Sequence, residues 1–165
     1  KGQFVPAAGS KQQDTYELRQ SLEAPYYQPL PEKVTTDTWQ ESRARRRRSE
    51  VCGLQQSADV TEAAGGFQLR LRADGTNGVP VAVELTFREG GQIEGCRPLT
   101  ERPGTFVLER GTGRYRAGRH EIRFGEGHAP HRYTDVRGAE PKLPGLSVYL
   151  TGYTPFDRTI RLECA

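Results

Sequence analysis

The residues best suited to chemistry lie between Arg119 and Leu162, a stretch that holds all three histidines and three of the seven tyrosines. Histidine and tyrosine can act as base and acid in elimination reactions on uronic acids, where an arginine neutralises the substrate carboxylate. His131, Arg132, Tyr133 and Arg137 are residues of these types. Because any strand places His131 and Tyr133 on one face, their spacing alone is no catalytic signature.

A binding surface is predicted for the run from Leu146 to Tyr153. Alternation places Leu146, Val148 and Leu150 on one face of a strand and polar or aromatic residues on the other. Tyrosine rings stack on sugars, and cationic side chains pair with acidic groups. The alternative is a solvated sheet face in which tyrosine is simply a good strand former. The predicted ligand-binding residues are His131, Arg132, Tyr133, Arg137, Lys142, Tyr149 and Tyr153.

The histidine spacing predicts no metal site, because H-x7-H-x2-H matches no closed zinc motif. His120 is expected to face the core together with Ile122 and Phe124, whereas His128 and His131 flank a proline and are better placed for ligand contact. The glycine-rich run FGEGHAP is not followed by a helical pattern, which disfavours a phosphate-binding loop, and no G-x-S-x-G motif occurs. We therefore expect neither a metal nor another cofactor.

The elements that must position these residues are strands. Alternation at residues 67–72, 79–87 and 146–153, together with 19 glycines and 11 prolines, predicts about nine to ten strands and less than a tenth helix. REGGQ is expected to join the strand at 79–87 to the next strand as a hairpin. The predicted fold is all-β, an antiparallel β-sandwich or jelly roll with an extended N-terminal arm.

Residues 1–48 are predicted to be this extended arm or linker, and residues 49–165 the β-sandwich domain. YELRQSLEA is expected to form a helical turn or two before Pro25 ends it. Tyr26, Tyr27 and Trp39 are the expected anchors of the arm on the domain. For the run Arg43 to Arg48 three interpretations stand: a solvated loop, a polyanion contact or a proteolytic processing site.

Charge and composition narrow the classes of partner that we expect this chain to bind. With 24 basic and 21 acidic residues the chain is no polycation, so we expect no nucleic acid partner. Twenty of the basic residues are arginines, whose planar fork suits carboxylate, sulfate or phosphate groups. No apolar run approaches the length of a membrane span, so no membrane partner is expected. Cys52, Cys96 and Cys164 leave open one disulfide with a free thiol or three free thiols.

A resemblance covers about residues 50–165 and is carried by two runs, GVPVAVELTFREGGQIEG and FGEGHAPHRYTDVRGAEPKLPGLSVYLTGYTPFDRTIRLE. They resemble the all-β C-terminal region of bacterial heparinase II/III-type polysaccharide lyases and related secreted proteins. In such enzymes a helical toroid and a central β-sandwich carry the catalytic residues. The resemblance implies an accessory, extracellular or periplasmic domain, and it transfers no catalytic residue to this chain.

Three functions follow as expectations. The first is an accessory carbohydrate-associated domain of a secreted polysaccharide-active protein that contacts an acidic oligosaccharide or polysaccharide. The second is a structural or protein-interaction domain whose partner is another domain or chain of the same protein. The third is a small polysaccharide lyase that uses tyrosine, histidine and arginine. This chain alone is expected to be non-catalytic rather than an enzyme.

Overall fold

A computed structural model describes residues 4–12, 14–28, 30, 32–134 and 143–164, whose regular secondary structure is almost entirely strand. The strands are β1 (Val5–Gln12), β2 (Thr15–Tyr27), β3 (Arg48–Ala63), β4 (Gly66–Gly75), β5 (Pro80–Phe87), β6 (Gln92–Glu94), β7 (Arg97–Pro98), β8 (Thr105–Val107), β9 (Gly113–Ala117), β10 (His120–Gly125), β11 (Leu146–Tyr153) and β12 (Phe156–Cys164). One helix, α1 (Trp39–Arg43), interrupts them in the described part of the chain. The prediction of an all-β chain with little helix is confirmed.

Two sheets pack as a sandwich. The large sheet has the strand order β1-β2-β3-β4-β12-β10-β9-β6, and the small sheet has the order β5-β11-β8-β7. Neighbouring strands are antiparallel apart from β11 and β8, which run parallel. The core between the sheets holds the following buried residues: Phe87, Leu108, Tyr115, Phe124, Val148, Leu150 and Ile160.

The alternation read from the sequence places the core residues correctly. Val148 and Leu150 of β11 are buried in the core and pair with Leu85 and Val83 of β5, which pack against the same cluster. Fully burying one such aliphatic side chain stabilises the fold by about 1.5 to 3 kcal/mol. The predicted inward face of each of these two strands is therefore confirmed.

The predicted hairpin after β5 is wrong. β5 pairs with β11 in the small sheet, whereas β6 pairs with β9 in the large sheet, so the connection crosses between the two layers. Gly90 adopts a positive φ of 84° in this connection, and a side chain at Gly91 would lie 2.2 Å from the Tyr115 ring. The eight-residue match between β5 and β11 outweighs a local pairing with a three-residue strand.

The N-terminal region is also more regular than expected. Residues 15–27 form β2 and not a helical turn, and they pair with β3 from Thr15↔Thr61 to Tyr27↔Arg48. This pairing overrides the modest helical preference of the run, because tertiary partners routinely outweigh intrinsic propensity. Much of the predicted arm thus extends the large sheet, while the boundary proposed at residue 48 stays a prediction. Tyr26 is 62% exposed and does not anchor the arm.

Candidate functional site

One stretch, residues 126–134, links the two sheets, and we call it the crossing segment. It leaves β10 of the large sheet at Gly125 and then runs beside β11 of the small sheet, where the Thr151 N–H donates to the His128 carbonyl at 2.8 Å. The Thr151 hydroxyl donates to the His131 carbonyl at 2.7 Å and accepts from the His131 N–H at 3.3 Å. These bonds fix the crossing segment over the face of the small sheet that points away from the core.

The His131 ring is fully engaged by backbone groups. Its Nδ1 lies 3.2 Å from the Tyr133 N–H, which can only donate, so Nδ1 accepts and the ring proton sits on Nε2. Nε2 donates to the Gly152 carbonyl at 2.7 Å. With both nitrogens used and 7% of the residue exposed, His131 positions its neighbours and offers no lone pair to a metal or to a substrate proton.

Two tyrosines flank this histidine, and we call His131, Tyr133 and Tyr153 the aromatic platform. The His131 ring centroid lies 5.1 Å from that of Tyr133 and 4.8 Å from that of Tyr153. Tyr133 is 65% exposed and Tyr153 is 41% exposed, so both present ring surface to solvent. Arg132, also exposed, stands between two platform residues in the chain. The structure thus brings three of the predicted ligand-binding residues, His131, Tyr133 and Tyr153, into contact, and Arg132 adjoins two of them in the chain.

The other three predicted residues divide into two cases. Tyr149 is 2% exposed, and its neighbours Ser147 and Thr151 on the same face are buried as well. The expectation that this face of β11 is open to solvent is wrong: Thr151 is hydrogen-bonded to the crossing segment, and Tyr149 has no ring surface for a ligand. Arg137 and Lys142 lie outside the described residues.

A second feature is a polar groove of about 740 Å³ beside the crossing segment. The crossing segment contributes Glu126 and His128 to it, while the large sheet contributes Arg70 from β4 and Asp157 and Arg158 from β12. Partial burial, and then the charge of Arg158, lower the pKa of His128. His128 was expected to contact a ligand, and that stays a prediction.

Sequence reasoning missed the strand residues of this groove. Arg70 donates two hydrogen bonds, of 2.9 and 2.6 Å, to the carboxylate of Asp157, which is 87 residues away in the chain. The Arg70 bond and charge hold the pKa of Asp157 below its ordinary value. Only the pairing of β4 with β12 brings them together. The alternating charges in FQLRLRAD and FDRTIRLE were the available signal.

Arginine–carboxylate pairs continue across the solvent side of the large sheet. Glu121 accepts from Arg116 at 2.7 Å and from Arg123 at 2.8 Å, which lowers the pKa of Glu121 to about 2. Arg72 lies 2.6 Å from Asp59 in the same layer. Several of the arginines that are so frequent in the sequence are therefore neutralised by carboxylates of the same sheet.

The remaining candidate residues from the sequence are His120 and the three cysteines. His120 is exposed at the end of β10, so its predicted place in the core is wrong. All three thiols are free, and burial raises the pKa of Cys96 to about 11. Within the described ranges, no group of three His, Cys, Asp or Glu side chains is arranged to hold a metal ion. The same ranges contain no helix long and apolar enough to cross a membrane.

Comparisons with protein-family models, with curated proteins and with solved structures give no match for this chain. The resemblance to heparinase II/III-type lyases is therefore not supported by any relative, and it remains an expectation from the quoted runs alone. The functional argument depends on the geometry of the site.

Proposed function

We propose that this chain is a non-catalytic carbohydrate-contacting β-sandwich domain that binds an acidic oligosaccharide at the aromatic platform. The observation that carries the proposal is the pair of exposed tyrosine rings held on either side of a histidine whose two nitrogens are bonded to backbone. In this proposal the domain serves a secreted polysaccharide-active protein outside the cytoplasm.

The platform suits a sugar because its rings are fixed before a ligand arrives. Tyrosine offers a large apolar ring and a hydroxyl at low cost in side-chain entropy, and groups held in the bound geometry bind more tightly than mobile ones. In this proposal Arg132, the chain neighbour of His131 and Tyr133, supplies a planar cation, and its charge-assisted bonds favour a ligand with carboxylate or sulfate groups. Stacking on Tyr133 and Tyr153 gives affinity, and Arg132 selects acidic sugars.

Binding is favoured over lyase chemistry at the platform by the state of His131. A catalytic base needs a nitrogen that can take up the substrate proton, and both ring nitrogens of His131 are committed to the backbone. An absorbance assay for unsaturated uronate tests the lyase alternative. Release of unsaturated product by the purified chain would establish an enzyme and overturn the non-catalytic assignment.

Calorimetry with a short uronic acid oligosaccharide tests the proposed site. Tyr133→Ala and Tyr153→Ala should each weaken binding about fivefold, because each removes about 1 kcal/mol of stacking. Arg132→Ala should cost about 1.5 kcal/mol or more at low salt, and less as salt is raised. Tyr16→Ala, which removes a 37% exposed tyrosine on β2, is the matched control and should bind like the parent. Parental affinity in all three platform variants would place the ligand elsewhere.

A further inference from the structure

The strands β2 and β3 continue past the rest of the large sheet. β3 pairs with β4 only as far as Leu54↔Gly75, whereas its pairing with β2 runs on from Glu23↔Gly53 to Tyr27↔Arg48. At about 3.4 Å per residue, these last pairs extend roughly 17 Å beyond β4. We call residues 23–53 the ribbon and residues 28–48 its tip.

The ribbon begins at the end of the sandwich that carries the aromatic platform. At its base, the Gly53 carbonyl accepts from the Thr76 N–H at 2.9 Å. Thr76 in turn accepts through its carbonyl from the hydroxyl of Thr154, the residue that follows Tyr153 of the platform. Two hydrogen bonds thus connect the base of the ribbon to the end of β11 that carries Tyr153.

The tip is held in a defined shape. The guanidinium of Arg46 lies 4.6 Å from the ring centre of Tyr27 and 4.9 Å from that of Trp39. Such contacts are favourable cation–π interactions. Arg45 pairs with Glu32 at 2.6 Å, and the Gln28 N–H donates to the Arg47 carbonyl at 2.9 Å, which closes the tip across its two strands.

The remaining tip arginines are not compensated. Arg43, Arg47 and Arg48 are exposed, and in the part of the chain that the structure describes none of them has a carboxylate within ion-pair distance. The Arg43 side chain contacts the Gln40 amide at 3.3 Å. Four arginines of the large sheet, Arg70, Arg72, Arg116 and Arg123, each pair with an acidic residue. Arg114 and Arg161 of the same sheet are exposed and have no ion pair among the described residues, but they lie on different strands and do not form a run like that of the tip. The tip thus carries cationic groups for which the chain supplies no described counter-charge.

We propose that the ribbon tip is a second binding site, which contacts an acidic polysaccharide through Arg43, Arg47 and Arg48. The ligand class rests on the proposed function, but the site and its residues are separate from the platform. Acidic residues of the tip and its flank, Glu32, Glu41 and Glu50, stand among the arginines. A polymer with spaced carboxylates avoids them, whereas duplex DNA, with one charge per about 1.7 Å of its axis, brings phosphates against them.

The test compares two double variants of the full chain that remove equal charge. Arg47→Ala/Arg48→Ala changes the tip, and Arg114→Ala/Arg161→Ala removes two exposed arginines from β9 and β12. With polygalacturonate as the probe at low salt, the tip variant should bind about tenfold more weakly than the parent, because charge-assisted contacts are lost. The β9/β12 variant should bind within about twofold of the parent, and parental affinity should fall as salt is raised.

Three results would overturn the inference: parental binding by the tip variant, equal weakening in both double variants, or tighter binding of a short DNA duplex than of polygalacturonate. Neutral dextran should not respond to the tip substitutions. The platform is tested separately with the short oligosaccharide. If platform variants bind it normally while the tip variant loses the polymer, the proposed function fails at its site and the tip inference stands. If the platform variants lose the short oligosaccharide while the tip variant binds the polymer normally, the tip inference fails and the proposed function stands.

Discussion

The two outward faces of the sandwich differ in how they satisfy their polar groups. The large sheet exposes arginines and carboxylates that pair across neighbouring strands, as Arg70 does with Asp157. On the small sheet, the outward-facing residues Ser147, Tyr149 and Thr151 of β11 are buried, and Thr151 both donates to and accepts from the His131 backbone of the crossing segment. The outward face of the large sheet is thus charged and solvated, whereas these three residues of β11 are uncharged and buried.

This difference shows that residue type alone does not make a binding surface. Several arginines on the large sheet, such as Arg70 and Arg116, are engaged by carboxylates of neighbouring strands. Tyr149 has the ring that a sugar site needs but is buried. The ring surface that reaches solvent comes from Tyr153 at the end of β11 and from Tyr133 on the crossing segment itself. The aromatic platform therefore lies at the solvent-exposed end of β11.

The most direct test of this comparison is to replace each of the two tyrosines of β11 by alanine in turn. Tyr149→Ala should lower the free energy of unfolding by about 3 kcal/mol, because it empties a buried site. Tyr153→Ala should lower it by less than about 1 kcal/mol, since much of its ring is already solvated. Urea unfolding of both variants measures the difference, and equal losses would mean that the covered face is not part of the interior.

Thr151→Val tests the attachment of the crossing segment. The substitution keeps the side-chain shape but leaves the His131 carbonyl and N–H without their Thr151 partner, which should cost about 2 kcal/mol. The same change should weaken oligosaccharide binding, because it releases His131 of the platform. Thr159→Val, at an exposed position of β12, is the control and should alter neither urea unfolding nor calorimetric affinity.

Glu121→Gln tests the charged face through pH. The bonds from Arg123 and Arg116 lower the pKa of Glu121 from an ordinary 4.5 to about 2, so its ionised form stabilises the folded state. That stabilisation is complete above the ordinary pKa and is lost as pH falls toward 2. The unfolding free energies of parent and Glu121→Gln should therefore differ most above pH 4.5 and converge near pH 2. A constant difference across that range would contradict the assignment.

The smallest effect is expected from Asp59→Asn. Its partner Arg72 and Asp59 itself both retain solvent contact, so the pair should contribute only about 0.5 kcal/mol after screening. Thermal unfolding at low salt should show a slight loss in the variant, and high salt should remove it. A loss as large as that of Thr151→Val would erase the contrast between the two faces.

Much of the fold followed from local pattern. Alternation at Val148 and Leu150 identified a strand and its buried face, because a strand turns successive side chains to opposite sides whatever surrounds it. The abundance of glycine and proline and the lack of a helical period likewise determined an all-β chain. The cluster of His131, Arg132 and Tyr133 followed from adjacency in the sequence. These features depend on short-range geometry, which the sequence contains directly.

Tertiary structure alone decided what each surface touches. The sequence could not show that β5 pairs with β11 and not with β6, that residues 15–27 pair with β3, or that Tyr149 is buried. Nor could it show that Arg70 meets Asp157, or that both nitrogens of His131 are bonded to backbone. These outcomes depend on partners far apart in the chain, where pairing and burial outweigh local preference. A strand's two faces are set by its sequence, but which face meets water is set by the layer that packs on it.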